Sequence, residues 1–156
     1  MNSPLVRGVA RSAGVDLHMS ARILEGKVFA AQIKENIKSE VEKLMAEHGI
    51  TPGLAVIIVG ENPASKVYVS HKHKACAEMG IHSEVVQMAE MVTKEELLGQ
   101  ITLLNENPAI DGILLQLPLP KHLSQYETEF LNAIDPDKDV DGFHPVNVGK
   151  LAIGQE

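Results

Sequence analysis

The sequence holds one cysteine, Cys76, in 156 residues. A single thiol cannot build an internal disulfide framework, and its solitude fits a reducing compartment. Tryptophan is missing and aromatic residues make up only 3% of the chain, so a core has to be built from Val, Ile, Leu, Ala and Met. Long apolar runs are missing as well. The longest, Leu54 to Val59, falls far short of the roughly 20 residues that a membrane-spanning helix needs, so a membrane is not expected as a partner. Positive charge is in deficit: 14 Lys+Arg against 21 Asp+Glu leave a formal charge of −7. Such a field repels phosphate backbones and argues against nucleic acid as a partner.

Several motifs are absent too. No two of the 12 glycines stand one residue apart, so there is no G-x-G-x-x-G or Walker loop for a standard nucleotide cradle. No G-x-S-x-G elbow occurs, and Cys76 falls on the apolar side of an expected helix, which leaves a nucleophilic hydrolase without support. The 7 histidines include no H-x-x-x-H pair with an acidic partner, which argues against zinc. Asp137, Asp139, Asp141 and Gly142 imitate the opening of a calcium loop. Its twelfth position is Val148 instead of Glu, and Pro145 interrupts it, so calcium is rejected and no metal is expected. What remains is a rigid acidic turn from which one carboxylate can accept hydrogen bonds from a ligand's N–H groups.

What is present reads as one ordinary domain, 44% hydrophobic and 22% charged. Residues 1–18 stand apart. Arg7 and Arg11 among small residues are faintly transit-like, but a tag, an over-long start or a disordered extension is the plainer reading. From Lys27 to His48, apolar residues recur at helical spacing and Gly49 is placed to stop the helix. Leu54 to Val59 suits a strand buried on both faces of a parallel sheet. A helix is expected over Ala64 to Met79, an edge strand over His82 to Met88, and a helix from the Thr93/Glu96 capping box to Leu104. A strand is expected over Ile110 to Leu117 and a short helix over Glu127 to Ile134, with loop beyond it through Pro145 and Asn147. Strand and helix alternate, so the fold class is α/β: three layers, a mostly parallel sheet flanked by helices. The domain spans residues 19–156.

Ligands of such sheets sit beyond the carboxyl ends of the strands. Two segments lie there: the turn and helix after Val59, and Gln116-Leu117-Pro118. Tyr68 and Lys72, four apart on the helix, share a face. Tyr68 offers a ring to stack and a hydroxyl to bond; Lys72 offers a proton that partial burial makes labile. By pattern alone, Lys72 reads more readily as one more solvated cation beside Lys66 and Lys74 than as a site residue. His71 and His73 read as surface residues. Gln116 is either a strand-end amide bonding a loop or a ligand contact.

At this point the residues resemble a family. Val59-Gly60-Glu61-Asn62-Pro63-Ala64-Ser65-Lys66-Val67-Tyr68-Val69-Ser70-His71-Lys72 is similar to a signature of the bifunctional methylenetetrahydrofolate dehydrogenase/methenyltetrahydrofolate cyclohydrolase family. Gly112 to Pro120 resembles its second block, Asp135 to Gly149 its third, and Ile23-Leu24-Glu25-Gly26-Lys27 its start. The resemblance covers Met19 to Gly154 in order and spacing. It implies one-carbon metabolism: oxidation of 5,10-methylenetetrahydrofolate by NADP⁺ (NAD⁺ in some members), then hydrolysis of the methenyl product to 10-formyltetrahydrofolate. It implies that Lys72 is the cyclohydrolase lysine, Tyr68 the residue stacking on the folate, and Gln116 the tuner of the lysine. It further implies that Asp141 bonds the pterin and that Ser65, Leu117 and Pro118 line the substrate. Cytoplasmic location (mitochondrial as the alternative) and a homodimeric parent enzyme follow from the same likeness. NADP would bind a Rossmann domain beyond Glu156, so the chain is expected to supply the folate site alone. Two other readings stand beside this: a folate-binding module without redox chemistry, and a structural fragment without activity.

Overall fold

The computed structural model of the chain describes residues 25–155. The expectations for residues 1–18, and for Ile23 and Leu24, lie outside that range. The first element is the helix Gly26–His48 (α1). Gly49 ends it at φ 69°, a left-handed conformation that glycine adopts without a Cβ penalty. The Gly49 N–H then donates to the Met45 carbonyl at 3.0 Å. Next come Gly53–Val59 (β1), Pro63–Met79 (α2) and His82–Met88 (β2). Asn62 caps α2, its side-chain oxygen accepting from the Ala64 and Ser65 N–H groups at 3.0 and 3.1 Å, with Pro63 at the first helical position. Lys94–Glu106 (α3) opens on the expected capping box. The Glu96 N–H donates to Thr93 Oγ1 at 3.2 Å, and the Thr93 N–H to Glu96 Oε2 at 2.8 Å.

The third strand, Gly112–Gln116 (β3), is shorter than expected. Asp111 leaves the ladder to clamp the start of β1: its N–H donates to the Gly53 carbonyl, and its carboxylate accepts the Gly53 N–H, both at 2.8 Å. The helices Lys121–Ser124 (α4) and Glu127–Ala133 (α5) follow, then a single 3₁₀ turn at Pro136–Lys138. The loop expected through Pro145 and Asn147 is a helix instead, Pro145–Ala152 (α6). His144 caps it, Nδ1 accepting the Val146 N–H at 3.2 Å. Pro145 marks the start of a helix here, since its missing N–H costs nothing at the first helical position.

The sheet is wholly parallel, in the order β2-β1-β3. Val56 stands level with Val85 on one side and Leu114 on the other. Side chains then divide by the two-residue period of a strand. Ala55, Ile57, Val59, Ile113 and Leu115 join Leu97, Ile101, Leu104, Leu123 and Phe130 in one core. Val56, Ile58 and Leu114 meet Val69 of α2 on the other face. Helices thus cover both faces, giving the three layers. Outside α2 lies α1, which buries Val41 and pairs Lys34 with Glu78 at 3.2 Å. Of the rest of the α1 apolar stripe, Ile37 is half-buried, while Val28, Phe29, Ile33, Leu44 and Met45 are exposed.

The acidic loop docks on β3. Asp139 forms a parallel bridge with Ile113, and Val140 covers Gly112, where a Cβ would crowd it. Asp139 Oδ2 accepts from the His144 N–H at 2.8 Å and from Asn147 Nδ2 at 3.0 Å. Burial by itself would raise the Asp139 carboxyl. Hydrogen bonds from His144, Asn147, Phe143 and Gly142 outweigh it and hold the carboxyl below its ordinary value.

Replacing the fully buried Phe130 by alanine is expected to lower the unfolding free energy by about 3–5 kcal/mol, read from a urea titration. Asp139 supplies a second test. Because its folded value is lowered, its contribution is present above the ordinary aspartate value of about 3.9 and is lost as pH falls through the lower folded one. The stability gap between wild type and Asp139→Asn is therefore expected to be widest near neutral pH and to close in acid. A gap constant down to about pH 2.5 would contradict this.

Candidate functional site

The order β2-β1-β3 places a topological switch beside β1. The connection leaving β1 runs to α2 on one face, and the connection leaving β3 runs to α4 and α5 on the other. Divergence of two neighbouring connections opens a crevice past the strand ends. Lys72, in the middle of α2, and Gln116, the last residue of β3, meet there. Lys72 Nζ donates to Gln116 Oε1 at 3.1 Å. The Gln116 amide is fixed at its other end too, Nε2 donating to the Leu117 carbonyl at 2.8 Å. Its oxygen is thereby left for the lysine. Gln116 thus bonds the loop, as one of its two readings expected, and also bonds Lys72.

One turn before Lys72, Tyr68 is 62% exposed, an aromatic ring open at the rim. Ser65, one turn earlier again, is only 3% exposed, and its N–H is taken by Asn62. The peptide between Leu117 and Pro118 is cis; Leu117 is half-buried and Pro118 exposed. Asp141 arrives from the acidic loop. Its carboxyl is held above the ordinary carboxylate value chiefly by desolvation; the Lys72 charge opposes that shift and the Asp139 charge adds to it. The residue as a whole is exposed. Among the described residues the Asp141 side chain makes no hydrogen bond. Lys72, Gln116 and Asp141 therefore share one electrostatic neighbourhood, with Tyr68 beside it. His71 and His73 are exposed, as expected.

One surface concavity lies elsewhere. It is an apolar groove of about 940 Å³ between β2 and α3, lined by residues such as Met88, Met91 and Leu103, and it holds none of these groups. A smaller cleft of about 340 Å³, lined by Leu117, Leu131, Phe143 and Pro145, borders the rim. Among the described residues no three His, Cys, Asp or Glu side chains gather as a metal-ligand set. No helix among them is long and apolar enough to cross a membrane.

The residues present do not fit a dinucleotide. The first N–H groups of α2, after β1, are taken by Asn62, and after β2 the Glu96 N–H is taken by Thr93, with no glycine-rich turn at either place. Sequence reasoning missed the residues that hold the acidic loop, namely Asn105, Lys138, Asp139, His144 and Asn147. The one available signal was Pro145, which suits a helix start and so makes His144 a cap and Asn147 a residue of the first turn.

Comparison with known proteins gives the family and supports the fold. Residues 24–141 match the family described as tetrahydrofolate dehydrogenase/cyclohydrolase, catalytic domain. The bifunctional protein FolD of Methanococcoides burtonii is 54% identical over 137 residues, covering 88% of this chain and 47% of that protein. FolD of Acetivibrio thermocellus is 56% identical over 136 residues, covering 87% and 47%. In three dimensions the chain resembles the bifunctional enzyme FolD of Campylobacter jejuni, with a TM-score of 0.80, 49% identity, and coverage of 84% of this chain and 45% of that one. It also resembles the Trypanosoma brucei methylenetetrahydrofolate dehydrogenase-cyclohydrolase, solved with NADP and an inhibitor, with a TM-score of 0.80, 38% identity, and coverage of 85% and 44%. The chain spans about half the length of the curated relatives it matches. On sequence and fold alike, it belongs to the tetrahydrofolate dehydrogenase/cyclohydrolase family and corresponds to that family's catalytic domain.

Proposed function

We propose that this chain supplies the folate site and the cyclohydrolase lysine of a methylenetetrahydrofolate dehydrogenase/methenyltetrahydrofolate cyclohydrolase in one-carbon metabolism. The observation that carries the reading is the Lys72–Gln116 hydrogen bond at the switch-point crevice. In 5,10-methenyltetrahydrofolate the bridging carbon is cationic and electrophilic. Water adds to that carbon and loses a proton. The carbon–N5 bond then breaks as the added hydroxyl gives up its remaining proton and N5 takes one up, leaving the formyl group on N10 and releasing one proton net. Such a reaction asks for an oriented water and a group that handles its proton, not for a strong nucleophile.

Lys72 fits that role. An ammonium has three donors, and Gln116 takes one, which leaves two for a water and a ligand atom. Gln116 fixes the direction of the lysine and tunes it. Tyr68 offers its exposed ring as a stacking surface for the pterin and benzoyl groups. Asp141, its carboxyl raised by desolvation, hydrogen-bonds the pterin N–H groups. Leu117 and Pro118 form the wall opposite, and buried Ser65 supports α2 beneath the site.

Oxidation of methylenetetrahydrofolate belongs to the same proposal for the full-length enzyme, with NADP held by residues outside this chain's cradle-less strand ends. A homodimeric, cytoplasmic parent enzyme is the assembly and location that family membership favours.

The test uses the chain and its Lys72→Met variant with 5,10-methenyltetrahydrofolate. Wild type is expected to hydrolyse the substrate faster than buffer. The variant should lose about 100-fold or more of that rate while binding 5-formyltetrahydrofolate within a few-fold of wild type. Equal rates in the two proteins would remove Lys72 from catalysis. Two inert proteins that still bind the folate would replace the reading with a binding module.

A further inference from the structure

We propose that Lys138 and Asn105 are positioning residues for the folate rim: from the C-terminal end of α3 they hold the loop that carries Asp141. This rests on the folate reading of Asp141 given above. The helix α3 has no basic residue in its last turn, so its terminal carbonyls lack a local cation. Lys138 supplies one from far along the chain. Its Nζ donates to the carbonyls of Leu104, Asn105 and Asn107 at 3.3, 2.7 and 2.9 Å. An ammonium has three donors, and each has a partner here, all at the negative end of one helix. The lysine is half-buried, which strengthens such bonds relative to a solvated pair.

Asn105 ties the loop's entrance to the same point. Its Oδ1 accepts the Asp135 N–H at 2.9 Å, and its Nδ2 donates to the Ala133 carbonyl at 2.8 Å. The exit is tied to α6, where Asn147 Nδ2 donates to the Pro136 carbonyl at 2.8 Å and to Asp139 at 3.0 Å. Asp141 lies just past these anchors and makes no side-chain hydrogen bond among the described residues. Its location is therefore inherited from the loop, which α3 holds together with β3 and α6. Neither Lys138 nor Asn105 belongs to the Lys72–Gln116 pair.

Two readouts separate positioning from bulk stability, both on natively folded protein: the NMR titration of the Asp141 carboxyl carbon, and the affinity for 5-formyltetrahydrofolate. In Lys138→Met the loop loses its anchor. The Asp141 midpoint is expected to fall toward the ordinary carboxylate value as desolvation relaxes against the facing charges of Lys72 and Asp139. Folate affinity should weaken about tenfold, since small misplacement of a contact costs that much or more. Lys138→Arg, which keeps the cation, should recover most of both. Asn105→Ala gives a second, milder cut at the same anchor if the methionine variant does not fold, and should move both readouts the same way. An Asp141 titration unchanged in whichever variant folds would overturn the inference. Asp141→Asn separates the two layers of the argument. If it binds folate like wild type while Lys138→Met still shifts the Asp141 titration, the folate role of Asp141 fails and the positioning stands.

Discussion

Burial of β1 on every side is the constraint from which the other placements follow. Its backbone is paired along both edges, by β2 and by β3, and its side chains are covered on both faces. A strand with no solvent-facing side must be apolar throughout, and Leu54 to Val59 is. It must also send its connections out at the ends. The parallel arrangement gathers those ends at one rim, and the reversal of strand order at β1 splits two of the connections apart. The crevice that receives Lys72 and Gln116 is thus a by-product of topology, present before any side chain is chosen for chemistry.

Within that crevice, chemistry is distributed over three independent elements. A helix after β1 brings Tyr68 and Lys72, the end of β3 brings Gln116, and the acidic loop brings Asp141. Each is held differently. The helix is seated by Val69 and capped by Asn62, the glutamine is fixed by the Leu117 carbonyl, and the loop is bridged to Ile113 and tied through Asp139. The opposed displacements of the two aspartates record that difference. Asp139 spends its charge on N–H donors of the loop itself, whereas Asp141 lacks such donors.

Much of this was legible in the residues. The apolar run, the capping box and the glycine at 49 marked element after element, because each of those signals is local. The i, i+4 spacing put Tyr68 and Lys72 on one face, and the strand-end position of Gln116 followed from the apolar run that Pro118 closes. What stayed hidden was non-local or short. The reach of Lys138 to α3 spans 31 or more residues, and no window of sequence contains both ends. The helix α6 is eight residues long with Gly149 inside it, a composition that loops share. Its start depends on Pro145 being read as an opening and not as a stop. The exposed stripe on α1 could not be foreseen either, since periodicity reveals an apolar face but not whether anything covers it.

The two cores differ greatly in depth. Among the described residues, the hydrophobic cluster on the side of α3, α4 and α5 holds fourteen buried side chains and the one facing α2 holds four, with Ser65 and Cys76 of α2 buried beside it. Local opening is governed by how much apolar surface an element must expose to detach. The layer carrying Tyr68 and Lys72 is therefore the shallow-rooted one, and its amides would exchange with solvent long before those of α3. The fold keeps its aspartate loop on the rigid side of the sheet and its lysine on the compliant side. A ligand bridging the two would close one against the other, drawing the order it needs from its own binding.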